Sequence, residues 1–257
     1  MQQRPRADTV FAVPKNYFDG PIAEQYDRDS SPMFDPALVA ATVDFLAELA
    51  GDGAALELGI GTGRIALPLA ARGVPVQGID LSPDMVAQLR SKPGAAAIGV
   101  TIGDFASTVV PGSFRLAYLV YNTIENLASQ DDQVACFVNV GNHLDPGGCF
   151  VVEVAVPPLR RLPPGETALP FTVTPDRVGF DTIDVARQRG VSHHYWVGSG
   201  RAKTFTMPYR YVWPAELDLM ARIGGMRLRE RWSSWSRTPF TGESASHVSV
   251  WEKLPVG

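Results

Sequence analysis

Cysteine is scarce in this chain. Cys136 and Cys149 are the only two in 257 residues, one in a predicted helix and one in a predicted strand. They leave no disulfide framework and no zinc-ligand spacing, and both thiols are expected in the core. The histidines and acids show no metal-ligand spacing either, so no metal is expected. Long apolar runs are missing: none approaches 18 residues. Met1 to Asp8 carries arginines without an apolar stretch before Pro14, which argues against a membrane span or a secretory signal and makes the cytoplasm the expected location. Surplus positive charge is missing too. With 23 Lys and Arg against 27 Asp and Glu, the net charge is −4, and there is no electrostatic footprint for nucleic acid. The patterns G-x-G-x-x-G, G-K-[ST] and Tyr-x-x-x-Lys are all absent, which weakens any reading as a phosphate-loop or nicotinamide-dependent enzyme. There is no internal repeat and no low-complexity tract.

What is present is apolar material for one large core, 45% hydrophobic residues against 19% charged, arranged around one stretch. Ala55-Leu56-Glu57-Leu58 is a short apolar run carrying an acid. Gly59, Gly61 and Gly63 follow at alternate positions, and Ile65, Ala66, Leu69 and Ala70 then repeat at helical spacing. The stretch reads strand, tight turn, helix. Glycines there let the backbone take positive φ and approach a ligand, while the helix start presents unpaired N–H groups. Glu57 would repel a phosphate and suits a cationic or amino-bearing ligand.

Upstream, Asp35-Pro36 caps and opens a helix that Val39, Val43, Leu46 and Ala50 carry to Gly51. Downstream, strands are predicted over Val74–Asp80, Ala97–Ile102, Phe114–Tyr121 and Cys149–Val156. Helices are predicted from Ser82-Pro83 and over Gln130–His143, the latter closing at the turn Asp145-Pro146-Gly147-Gly148. Such alternation predicts a parallel sheet. Asp80, about 20 residues past the glycines at a strand's carboxyl end, is placed to accept hydrogen bonds from both hydroxyls of a ribose.

Glu57-x-Gly59-x-Gly61-x-Gly63 resembles motif I of the class I S-adenosylmethionine-dependent methyltransferases. Gly78-Ile79-Asp80-Leu81-Ser82-Pro83-Asp84-Met85 resembles motif II, and Gly103-Asp104-Phe105 motif III. The resemblance covers residues 35–156 by motif and the remainder by element order. It implies an α/β fold, a Rossmann-like seven-stranded sheet with helices on both faces. It also implies S-adenosyl-L-methionine as cofactor, with Glu57, Gly59, Gly61, Gly63, Arg64, Asp80, Leu81, Met85, Asp104, Phe105 and Tyr121 as its contacts, Asp104 and Phe105 meeting the adenine. In that family the loop Tyr121 to Leu127 faces the methyl group and the substrate. Here it lacks the [DNS]-P-P-[YFW] of enzymes that methylate nucleobase amines, so the expected partner is a small molecule and not DNA or RNA. Lys15 to Asp27, with Tyr26-Asp27, resembles the N-terminal lid of small-molecule members, and residues 1–34 are assigned to it. A surface helix packing its aromatics is the other reading. Residues 1–13 are aperiodic and expected to fray.

From Pro157 the alternation of strand and helix stops. Phe171–Thr174, Val178–Val185, Ser192–Val197 and Thr204–Val212 predict an antiparallel β cap, residues 157–213, inserted into a domain formed by 1–156 and 214–257. Caps of this sort occur in small-molecule methyltransferases, including those that N-methylate amino sugars on nucleotide carriers. A helix over Pro214–Ile223 and strands over Met226–Trp235 and Ser246–Glu252 complete the fold.

Methyl transfer from a sulfonium releases a neutral leaving group, so alignment and exclusion of water carry it. A base is needed only for a poor nucleophile such as a phenol, an alcohol or a protonated amine. His193 and His194 are the candidates, and as neighbours in a strand at most one faces the cleft. Tyr17, Tyr26, Asn122, Glu125, Tyr195, Tyr209 and Tyr211 are the candidate lid or substrate residues, with Trp196 and Trp213 completing an aromatic rim suited to a ring-bearing or amphipathic acceptor. His143 and His247 are expected to be structural, Trp232, Trp235 and Trp251 to pack the sheet, and Glu153 to be paired or to face a cavity. The expected function is methyl transfer to O or N of a small molecule in specialised metabolism. A cofactor-binding protein with altered or lost methyl transfer carries the same motifs, and an NAD-dependent oxidoreductase is the weaker alternative. The motifs say nothing of oligomeric state.

Overall fold

The computed structural model describes residues 15–198 and 203–255; the frayed end expected at 1–13 lies outside them. Proline opens α1 (Pro21–Asp29). Asp35 caps α2 (Pro36–Ala50) by accepting the N–H groups of Ala37 and Leu38, and Gly51, at φ 53°, ends it. Then β1 (Ala55–Leu58), α3 (Ala66–Ala71), β2 (Val76–Asp80), α4 (Pro83–Arg90), β3 (Gly99–Ile102), β4 (Phe114–Leu119), α5 (Gln130–His143) and β5 (Leu144–Ala155) alternate as expected. Next come four strands, β6 (Ala168–Val173), β7 (Arg177–Asp184), β8 (Arg189–Trp196) and β9 (Lys203–Arg210), forming a separate antiparallel sheet. The chain closes with α6 (Pro214–Ile223), β10 (Met226–Trp232) and β11 (Ser246–Lys253).

The seven-stranded sheet runs β10-β11-β5-β4-β1-β2-β3. Its pairs are parallel from β5 to β3 and antiparallel at β11–β5 and β10–β11. Strand order reverses between β1 and its neighbours β2 and β4, and ligands of open α/β sheets sit outside the carboxyl ends at such a point. Both faces are covered. Phe137 and Val140 of α5 and Leu217 and Met220 of α6 pack one face with Phe150, Val152 and Trp251. Val43 and Leu46 of α2, Leu69 of α3 and Leu89 of α4 pack the other with Leu116, Tyr118 and Val151. Cys136 and Cys149 are buried and free, Trp235 and Trp251 lie in the core, and Trp232 packs against it.

Three boundaries depart from expectation, each for a local reason. The Asp-Pro-Gly-Gly segment is a bulge inside β5 and not a turn before it: pairing with β4 continues on either side of a register shift, with Gly147 at φ 76°. β3 begins at Gly99 because Ala95–Ala97 forms a 3-10 turn. β4 stops at Leu119 because Tyr121 and Asn122 both take left-handed backbone, φ 56° and 60°.

In the four-stranded sheet two glycines are roofed by rings. A side chain at Gly179 would collide with Phe171, and one at Gly190 with Tyr209, so each ring fills the space over its glycine.

Candidate active site

The glycine turn joins β1 to α3 at the switch point. Gly59 has φ 70°, and a Cβ there would sit 2.7 Å from Thr123 Cγ2, in the loop after β4. Gly61 has φ 54° and donates its N–H to Asp80 Oδ2 at 2.6 Å, while the N–H of Ser82 reaches Oδ1 at 2.8 Å. Two backbone donors therefore fix the Asp80 carboxylate across the crevice, and each oxygen keeps a lone pair for a further donor. Burial raises its pKa and those two N–H groups oppose the rise. At the end of β3, paired in register with Asp80, Ile102 is 49% exposed, an apolar side chain left open.

Glu57 does not lie open at the cleft. Its side chain is buried under the turn, accepting the Tyr118 hydroxyl at 2.9 Å, and burial pushes its pKa up to about 8. Met85 is likewise buried and props the turn near Gly61. Phe105 is buried with Ala106 and Phe114 in the core, its ring edge 3.9 Å from where a side chain at Gly59 would begin, and the open apolar group on this side is Ile102. Asp104 accepts the Ala106 N–H at 2.9 Å, a turn cap that engages one of its oxygens.

The N-terminal segment folds over this turn. Thr62 donates its hydroxyl to Asp27 at 2.6 Å, Lys92 ion-pairs with the same carboxylate, and Ser82 donates to Asp19. Tyr26 stands edge-on to Phe18. Its hydroxyl pKa is raised by burial, with Tyr121 and Asp80 adding to the rise. Arg64 donates to the Met33 carbonyl at 3.0 Å and lies 5.8 Å from the Tyr121 ring. Tyr26, Arg64, Tyr121 and Asp80 are thus gathered on one side of the crevice. Tyr17 carries the Lys15 ammonium over its ring.

From Tyr121 the loop after β4 runs on to meet the cap. Glu153 accepts the Tyr121 N–H at 2.9 Å and the Trp235 indole N–H at 2.8 Å, and Asn122 Oδ1 accepts the Ala155 N–H at 2.7 Å. A 3-10 turn, Thr123–Asn126, then presents Glu125 to β9. Burial pushes the Glu125 pKa up to about 8, reinforced by the Asp181 carboxylate across the cleft. Asp181 accepts from the Ser192 and Tyr209 hydroxyls. Sequence reading missed Asp181, because strand alternation alone does not tell which face of a cap turns inward.

Register settles that face. Asp181 pairs with Ser192, Gly179 with His194, and Arg177 with Trp196, so these share the inner side with Tyr209. Phe180, His193 and Tyr195 alternate with them and stack on the outer side, at 4.8 and 6.0 Å between centroids. His193 and Tyr195 therefore do not face the cleft. His194 does, but both of its ring nitrogens are engaged: Arg177 donates to Nδ1 at 3.2 Å, and Nε2 lies 3.1 Å from Ser192 Oγ. Burial and the guanidinium push its pKa down to about 4, which makes it a weak base. Tyr211 is a core residue whose hydroxyl donates to the Val185 carbonyl. His143 and His247 are buried and structural, bonded within the fold to Val110 and Ser249.

Residues 55–148 match the family described as a methyltransferase domain. The CcbJ methyltransferase from Streptomyces caelestis is 33% identical, with 91% of this chain and 96% of that one covered and a TM-score of 0.82. The cypemycin N-terminal methyltransferase from a Streptomyces species is 26% identical over 239 residues, which span 92% of this chain and 97% of that protein. An amino pentose methyltransferase from Micromonospora echinaspora, involved in calicheamicin biosynthesis and solved with S-adenosylmethionine bound, shares the fold at 20% identity, with 93% and 99% of the two chains covered and a TM-score of 0.69. Among the described residues no helix is long and apolar enough to cross a membrane.

Proposed function

Because the chain belongs to the class I S-adenosylmethionine-dependent methyltransferases, we propose that it methylates a nitrogen, the amine of a small molecule of specialised metabolism. The observation that carries this is the carboxyl pair: Glu125, beside the strained Tyr121-Asn122 loop, faces Asp181 with Tyr209 held between the two elements. Two acids turned to one point suit an ammonium, and a carboxyl with a pKa near 8 suits a base at neutral pH. The relatives support nitrogen as well, since two of them are described as acting on an N-terminus and on an amino pentose.

The crevice fits the cofactor. Gly59 leaves no room for a side chain, and Asp80 holds a free acceptor on each oxygen. Asp80 would accept the ribose hydroxyls, Leu81 and Ile102 would flank the adenine with Asp104 at its edge, and Tyr26, Arg64 and Tyr121 would line the amino-acid end. Glu57 and Met85 would act from beneath, by shaping the turn. When bound, S-adenosylmethionine supplies an electrophilic methyl group on a sulfonium, whose sulfur leaves as a neutral thioether. Glu125 takes the proton of the acceptor ammonium and so frees the lone pair that attacks. Asp181, oriented by Tyr209 and Ser192, keeps the nitrogen in line, and α1 shuts out water. The same reading assigns residues 157–213 to acceptor binding and the enzyme to the cytoplasm.

The test is turnover of S-adenosylmethionine with a panel of amines and the matching alcohols. Amines should be methylated and alcohols not, with Glu125→Gln losing at least tenfold in kcat/KM. Equal turnover of alcohols, or an unaffected Glu125→Gln, overturns the reading.

A further inference from the structure

The inner face of the cap is graded in charge along its strands. Arg177, Trp196 and Lys203 form one cross-strand row; His194 and Phe205 the next, over Gly179; Asp181, Ser192 and Met207 the third. In the first row two cations flank one indole, Arg177 at 5.4 Å and Lys203 at 5.5 Å from its centroid. Among the described residues neither forms a salt bridge. Asp176, the acid adjoining Arg177 in sequence, lies exposed and accepts the Thr174 hydroxyl. The Nε–H of Arg177 is buried and has no acceptor. Lys203 donates to Gln25 of α1 at 2.6 Å, which sets this row against the lid and so at the edge of the cleft.

We infer that this row is a second recognition point, taking a carboxylate at the end of the acceptor remote from its amine. The inference rests on the amine reading for the other end. Among the described residues, a guanidinium whose Nε–H has no acceptor, and whose one bond runs to the neutral ring of His194, stands beside an ammonium bonded only to the neutral amide of Gln25. Together they are donors matched to an anionic oxygen pair, and the indole between them excludes water from one side. His194, with Phe171, Trp196 and Phe205 within 5.2 to 5.8 Å, forms an apolar floor between the two ends. Asp181 and Arg177 are four residues apart on one strand, about 13 Å. An extended peptide spans that distance in about four residues. The acceptor class is therefore a zwitterion of roughly tetrapeptide length.

The test uses protein saturated with S-adenosylhomocysteine and four probes: tetraalanine, its C-terminal amide, and the N-acetylated form of each. Tetraalanine should bind at least fivefold more tightly than its amide, and Arg177→Gln and Lys203→Gln should each bring that ratio toward one. Lys203→Gln, at a half-buried surface position, keeps the test valid if Arg177→Gln folds poorly. Acid and amide binding alike, or no binding by any of the four, overturns the inference. If the acetylated pair retains the acid preference while Glu125→Gln leaves the free-amine peptides unaffected, the carboxylate site stands and the amine reading fails.

Discussion

The Glu153 carboxylate accepts the backbone N–H of Tyr121 at 2.9 Å, and its other oxygen holds Trp235. One buried-run acid thus fixes two consecutive left-handed residues, each costing on the order of 1 kcal/mol for a side chain other than glycine. Glu153→Ala should lower stability by about 1–3 kcal/mol, because two donors lose their acceptor, and should lower both kcat and S-adenosylhomocysteine affinity, because Tyr121 loses its fixed place at the cofactor's amino-acid end. Thermal unfolding and calorimetric titration on the same samples check both halves.

Asp80→Asn retains shape but keeps one acceptor oxygen where the carboxylate has two, with Gly61 and Ser82 competing for it. Affinity for S-adenosylmethionine and S-adenosylhomocysteine should fall tenfold or more, about 1.4 kcal/mol. Calorimetric titration reads it, and an unchanged Kd would remove Asp80 from the cofactor site.

Methyl transfer should rise with pH through about 8, since Glu125 is raised by burial and by Asp181 and works as a base only when ionised. In Glu125→Gln the residual rate should lose that inflection. The pH profile of kcat/KM at saturating cofactor is the measurement.

Glu57 should make the fold less stable as pH rises. Its folded pKa, about 8, lies above the ordinary carboxylate value of 4.5, so the neutral form is the folded one. The stability it contributes is present at low pH and is lost between pH 4.5 and 8. Glu57→Gln, which still accepts the Tyr118 hydroxyl, should gain on wild type across that window by at least one pKa unit's worth, about 1.4 kcal/mol. Urea unfolding at pH 5 and pH 8.5 gives the difference.

The parallel half of the fold was legible because its cues are local: the apolar run into alternate glycines, Asp35-Pro36 and Ser82-Pro83 at helix starts, an acid closing β2. All the expected cap strands formed, with their ends moved by one to three residues. What stayed hidden depended on which way a face turned. His193 and His194 were separable as opposite, but the outward placement of His193 and Tyr195 follows from how the cap seats on the turn holding Glu125. Asp181 and Arg177 became visible by the same fact. Phe105 keeps its motif place beside the glycine turn while packing with Phe114 and Ala106, and the motif alone did not tell how deeply hydrophobic burial would draw it in.

The α1 helix is tied at both flanks, to the glycine turn through Asp27 and Thr62 and to the cap through Gln25 and Lys203. One short element therefore touches both the turn and the cap's basic row. Any displacement of α1 would break both ties together, linking the two ends of the cleft through one helix. A cap transplanted from a relative would need its matching N-terminal helix to keep that link.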